Sequence, residues 1–151
     1  MFKGKTIIIT GASSGLGKEL SRRLAQKGAN LALIARNSEK LADVKKELES
    51  ITRQDQKIET ISCDVTDFNR TEKAVEQLID TIGDPDILIN NAGILEEGYF
   101  ENISLSIFRK IFDVNFFGAI NCTKIILPYF KNQGSGKIVN IASLGGKMAS
   151  F

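Results

Sequence analysis

Thr10-Gly11-Ala12-Ser13-Ser14-Gly15-Leu16-Gly17 stands between a β-branched apolar run at 6–9 and a stretch of helical periodicity at 16–27. Its three glycines let the backbone turn tightly and approach a bulky group without Cβ clashes. The turn feeds a helix N-terminus, where unpaired N–H groups and the helix dipole favour a phosphate. The stretch therefore reads as a dinucleotide-type phosphate loop and points to a nicotinamide cofactor. Its spacing is G-x-x-x-G-x-G rather than G-x-G-x-x-G. A nucleoside-triphosphate loop is excluded, because it would need Gly at 12 and Ser or Thr at 19, where Ala12 and Glu19 stand.

Outward from this loop, strand-like and helix-like segments alternate. Residues 6–10 read as a buried strand. Leu16, Leu20 and Leu24 recur every four residues with Lys18, Glu19, Arg22, Arg23 and Gln26 opposite, an amphipathic helix that ends near Gly28. Residues 30–35 form a second strand. Ser38 is expected to cap a second helix that buries Leu41, Val44, Leu48 and Ile51. A third strand spans 57–62, and a third helix spans 69–82 with Val75, Leu78, Ile79 and Ile82 inward. After the turn Gly83-Asp84-Pro85-Asp86 comes a fourth strand at 87–90. A loop at 92–102 precedes a long helix from Ser104. The turn Gly134-Ser135-Gly136 then leads to a fifth strand at 137–142. Repeated strand–helix units with near-continuous apolar strands predict a parallel sheet covered on both faces. The expected fold is α/β, a Rossmann-type doubly wound parallel sheet in three αβα layers with strand order 3-2-1-4-5. One domain accounts for the 151 residues.

Composition narrows the function. A net charge of +2, with no basic cluster interleaved with aromatics, argues against nucleic acid. The absence of histidine removes His-based acid–base chemistry and His metal sites. Cys63 and Cys122 sit apart in apolar contexts and read as buried thiols, with no zinc spacing and no metal site. No signal peptide is evident, and a reducing, cytoplasmic setting is expected. The apolar stretch 107–130 is broken by Arg109, Lys110, Asp113, Asn115, Asn121 and Lys124, so no membrane span is expected there.

In such a sheet a ligand binds outside the carboxyl ends of the strands. Those ends carry the glycine loop, then Arg36-Asn37, Asp64-Val65, Asn91-Ala92-Gly93 and Ser143-Leu144-Gly145-Gly146. Where an acidic residue would bind the ribose hydroxyls of NAD, Ala35 stands, followed by Arg36, a cation suited to a 2′-phosphate. Lys40 lies one helical turn further on. NADP(H) is the preferred cofactor, with NAD(H) as the alternative. Asn115, inside an apolar helical stretch, reads equally as a satisfied structural amide or a functional one. Ser143 has no base beside it in sequence and suits hydrogen bonding to a substrate oxygen better than nucleophilic attack.

Together T-G-A-S-S-G-L-G at 10–17, C-D-V at 63–65, N-N-A-G at 90–93, D-V-N at 113–115 and I-V-N-I-A-S at 138–143 resemble the short-chain dehydrogenase/reductase family over the whole chain. The resemblance implies NAD(P)-linked hydride transfer between a carbonyl and an alcohol of a small-molecule substrate, in a homo-oligomer. It assigns Gly11, Ser13, Ser14, Gly15, Leu16 and Gly17 to the pyrophosphate and ribose, and Asp64 and Val65 to the adenine. Asn91, Ala92 and Gly93 would back the cofactor. Asn115 would hold a proton-relay water and Ser143 would orient the carbonyl. The stretches A-R-N-S-E-K-L and V-N-F-F-G-A resemble members acting on lipid or steroid ketones. The family's acid, the Tyr of a Y-x-x-x-K motif, lies beyond the position of Ser143. Here Tyr99 and Tyr129 are followed at that spacing by Ile103 and Gln133. An amino-terminal portion, inactive alone, is the expectation; a non-catalytic dinucleotide-binding module is the alternative.

Overall fold

The computed structural model describes residues 2–143. Five parallel strands, β1 (Thr6–Thr10), β2 (Asn30–Ala35), β3 (Ile58–Ser62), β4 (Ile87–Asn90) and β5 (Lys137–Asn140), lie in the order β3-β2-β1-β4-β5. The expected Rossmann-type order is therefore present, and its switch point falls between β1 and β4. In register, Ile7, Ile8 and Ile9 of β1 face Leu31, Ala32 and Leu33 on one side and Ile87, Leu88 and Ile89 on the other.

Strand alternation divides the core into two layers. Successive side chains point to opposite faces, so Ile7 and Ile9 join Leu31, Leu33 and Ile89 on one face while Ile8 joins Ala32, Ile34 and Leu88 on the other. The first face is covered by α1 (Gly15–Gln26) and α2 (Ser38–Glu49), through Leu24, Ala25, Leu41, Val44 and Leu48. The second is covered by α3 (Phe68–Ile82) and α5 (Gly118–Asn132), through Val75, Leu78, Ile82, Cys122, Ile126 and Phe130. Each fully buried Ile or Leu contributes roughly 1.5–3 kcal/mol by leaving water. Both cysteines are free and buried in this second layer. Burial pushes the Cys122 thiol up to about 12 and also raises that of Cys63.

Local chemistry corrects several boundaries. Asn37, not Ser38, caps α2, its Oδ1 accepting the Lys40 N–H at 2.8 Å. Asp67 likewise caps α3 through the Arg70 N–H, so α3 begins at Phe68. Ile51 lies beyond α2 and is exposed, and β5 ends at Asn140 rather than 142. Ile79 is only partly buried against its layer. Leu16 is 53% exposed, because the first turn of α1 overhangs the strand ends instead of the sheet face.

The long helix expected from Ser104 is capped there, the hydroxyl accepting from the Ile107 N–H. It runs as α4 (Leu105–Phe112), a π-helical turn at Asp113–Phe117, and α5. By length and composition alone, Leu105–Asn132 is apolar enough to cross a membrane, despite the charged residues that argued otherwise. Its α5 half packs against α3 and the sheet.

Candidate functional site

A cleft of about 740 Å³ opens at the carboxyl ends of the strands, at the switch point. Gly11, Ser13, Ser14, Gly15 and Leu16 form one wall, and Arg36 and Lys40 lie beyond β2. Asp64 and Val65 follow β3, and Asn91, Ala92 and Gly93 follow β4. Sequence reasoning named all of these. It also put Asn37 at these strand ends, but did not place Ile34, Cys63, Ile94 and Val114 there, which line the cleft as well. Val114 and Ile94 are brought in by the π turn and its partner loop; the D-V-N motif marks the turn but not that Val114 reaches the cleft.

Gly17 departs from the expectation that it lines the site. It is buried beneath the loop, where an added Cβ would collide with the Gly11 carbonyl oxygen and the Asn91 amide. Its role is close packing of α1 against the loop. Gly11 has φ +67°, and a Cβ there would lie 2.8 Å from the Ala92 Cα, so the loop touches the end of β4 backbone to backbone.

A compact set of hydrogen bonds holds this contact. The Thr10 hydroxyl accepts the N–H groups of Asn91 and Ala92, both at 3.0 Å, and Asn91 Nδ2 donates to the carbonyls of Thr10 and Gly11. Asn91 thus fixes the glycine loop while also lining the cleft. On the wall that follows β3, Asp64 Oδ1 accepts from the N–H and hydroxyl of Thr66, and Asn121 Nδ2 donates to the Val65 carbonyl.

Helix N-termini differ in a telling way. α2, α3 and α4 are capped by Asn37, Asp67 and Ser104. α1 is not: Ser14 makes no side-chain capping bond, and the first turn holds no acidic residue. Gly15 and Leu16 of that uncapped first turn line the cleft, which fits a ligand phosphate.

A second cavity of about 730 Å³ shares Asn91, Ala92 and Gly93 with the cleft and contains Asn115 and Ser143. Phe116, Ala119, Ile120 and Ile141 give it an apolar lining, and Lys124 lies at its edge. Asn115 is exposed, not buried among apolar residues as its sequence context suggested. Its Oδ1 accepts the Ile94 N–H at 2.8 Å and its Nδ2 donates to the Ile94 carbonyl at 2.9 Å. This clamp pins the loop after β4 to the π turn. Ser143 stands just beyond β5; Leu144, Gly145 and Gly146 lie outside the described residues.

This arrangement has clear counterparts. The family model for short chain dehydrogenases matches residues 5–151. The chain belongs to that family. Ketoacyl reductase HetN of Nostoc sp. is 40% identical over 144 residues, which are 95% of this chain and 49% of that protein. Dehydrogenase/reductase SDR family member 7C of Xenopus tropicalis is 36% identical over 97% of this chain and 48% of its own length. Among solved structures, levodione reductase superposes with a TM-score of 0.92 at 33% identity, covering 99% of this chain and 58% of that one. An NAD+-bound xylitol dehydrogenase gives 0.90 at 28% identity, covering 99% and 56%. The chain therefore spans about half the length of the family members it matches.

Proposed function

We propose that this chain forms the NADP(H)-binding part of a reductase that interconverts a carbonyl and an alcohol. The observation that carries this reading is the uncapped N-terminus of α1 behind a glycine loop, with Arg36 and Lys40 at the far end of the same cleft. The cleft volume falls within the range of small-molecule and cofactor sites. The related xylitol dehydrogenase holds NAD+, which supports a nicotinamide dinucleotide as the class of ligand. Arg36 and Lys40 favour the 2′-phosphorylated form, because a guanidinium and an ammonium gain most from a phosphate.

When bound, the nicotinamide would supply hydride chemistry for a carbonyl–alcohol interconversion. In this chain the loop amides of Gly11 to Leu16 would hold the pyrophosphate. Asp64 and Val65 would flank the adenine. Gly93, without a side chain, leaves room where the cleft meets the second cavity. Ser143 would donate a hydrogen bond to the carbonyl oxygen, and the Asn115 clamp keeps the shared Asn91–Gly93 wall in place. The apolar lining of the second cavity, and the ketoacyl substrate in one relative's name, support a lipid-like or steroid-like ketone. The exposed apolar side chains of α4 and α5 support a homo-oligomer, and the free buried thiols a reducing, cytoplasmic setting.

Titration with NADPH and NADH, followed by cofactor fluorescence, tests the reading. NADPH is expected to bind more tightly, and Arg36→Ala to weaken NADPH by roughly 10-fold or more, the size of a lost charged hydrogen bond. Tighter binding of NADH would overturn it.

A second reading, a dinucleotide-binding module without catalysis, has one observation in its favour. Tyr99 sits exposed in a loop, and Tyr129 lines a groove between α3 and α5, so neither joins Ser143 in the second cavity. A carbonyl reductase assay separates the two readings, since normal turnover would eliminate the second.

A further inference from the structure

The cofactor cleft does not end at Arg36. A second basic hollow of about 540 Å³ continues past β3 onto the outer surface of α3 and shares Arg36, Cys63 and Asp64 with the cleft. Arg70 and Lys73, from the first two turns of α3, line it with Arg36, and Asp64 is its single lining carboxylate. Asp64 already accepts two hydrogen bonds from Thr66 on Oδ1. Nearby Asp67 is engaged in capping α3 and in a 3.6 Å pair with Arg70. Neither Arg36 nor Lys73 has an ion-pair partner among the described residues. Three cations thus face one concavity with little compensating charge, and concave low-dielectric walls focus such a field on an entering anion.

We propose that Arg70 and Lys73 form with Arg36 a second cationic wall that recognises the phosphate on the adenosine ribose and strengthens selection for NADP(H) over NAD(H). The inference rests on the NADP(H) reading above and adds to it two residues from a different element. Sequence spacing gave no sign of them, because α3 meets β2 only across the folded sheet. Both side chains are exposed. Their contribution is therefore long-range and salt-sensitive, unlike a buried ion pair.

The test compares the wild-type chain with Arg70→Gln/Lys73→Gln, and with Lys27→Gln/Arg53→Gln, which removes the same charge beyond the opposite ends of the strands. Each is titrated with NADPH, NADH, adenosine 2′,5′-bisphosphate and adenosine 5′-monophosphate at low and high salt. The α3 variant is expected to weaken NADPH and the bisphosphate roughly three- to tenfold at low salt and to change NADH and the monophosphate by less than about twofold, as screened surface charges do. The remote variant should change none of them. The proposal falls if the α3 variant keeps wild-type preference, if it weakens all four ligands alike, or if the remote variant reproduces its effect. A wild-type chain with no preference for the 2′-phosphate would instead bring down the NADP(H) reading itself. Equal thermal melting of the three proteins shows that exposed positions were changed without loss of the fold.

Discussion

β3 and β5 hold the same topological position, one at each edge of the sheet, yet they are built differently. β3 is flanked by both α2 and α3 and buries Ile58 at 4% exposure. β5 is backed by α5, and all four of its residues are exposed, with Val139 at 41%. The residues that follow β3, Cys63 to Val65, sit in a wall tied down by Thr66, Thr71 and Asn121. Ser143 follows β5, where the sheet has one neighbouring strand. Asp64 and Val65, proposed to flank the adenine, therefore sit at the well-packed edge, and Ser143, proposed to orient the substrate, at the sparsely covered one. An exposed edge strand also offers unpaired backbone groups to another chain.

The sharpest way to break this contrast is to truncate one side chain on each edge. Ile58→Ala should cost about 2–4 kcal/mol and Val139→Ala under about 0.5 kcal/mol in urea unfolding, as expected for core and surface sites respectively. Equal costs would show that β5 is as well packed as β3. A step smaller, Asn115→Leu removes the two bonds to Ile94 that join the loop after β4 to the helix. A loss of about 1–3 kcal/mol is expected, with a lower melting temperature and weaker NADPH binding through the shared Asn91–Gly93 wall.

Cys122 gives a pH handle on the layer that both edges share. Its thiol stays protonated up to about 12 in the fold, against an ordinary 9.0. The folded state thus holds a proton that the unfolded chain releases, so stability is intact below pH 9 and declines as pH rises towards 12. The Cys122 share of the loss at pH 10 is on the order of 1 kcal/mol, and Cys122→Val should lose that share, keeping what the raised Cys63 thiol contributes, in unfolding curves measured across that range. The smallest effect is expected from Val139→Lys: a stability change within about 0.5 kcal/mol, because the position is exposed. Its signature is less self-association in sedimentation, as a charge on an edge strand discourages pairing.

Much of this fold was legible because its strands are short, apolar and punctuated by glycine and polar turns. β4 was located to the residue, and the strand order followed from right-handed crossovers. The cleft was legible because strand ends are easily located, so loop residues as distant as Ser13 and Gly93 were brought together correctly. Misreadings arose where three-dimensional placement overrides periodicity. Leu16 keeps the four-residue rhythm of α1 but projects past the sheet. Asn115 looks buried because its neighbours are apolar, though they lie on an exposed face. Asn37 and Ser38 are both good caps, and the hydrogen bond from the Lys40 N–H to Asn37 is seen only in the folded chain. Gly17 belongs to the motif but serves the packing behind it. Arg70 and Lys73 look like an ordinary solvated helix face until α3 is set beside β2.

The π turn at Asp113–Phe117 has a consequence for how this helix tolerates change. A π turn accommodates an extra residue, and one residue corresponds to about 100° of helical rotation. A single-residue deletion within 113–117 would let regular α-helical winding resume with α4 and α5 still aligned, because five residues in a π turn rotate the chain about as far as four in an α-helix. Substitutions along this segment can be absorbed locally. What the extra residue supplies is the local bulge, which carries Val114 to the cleft and Asn115 to Ile94.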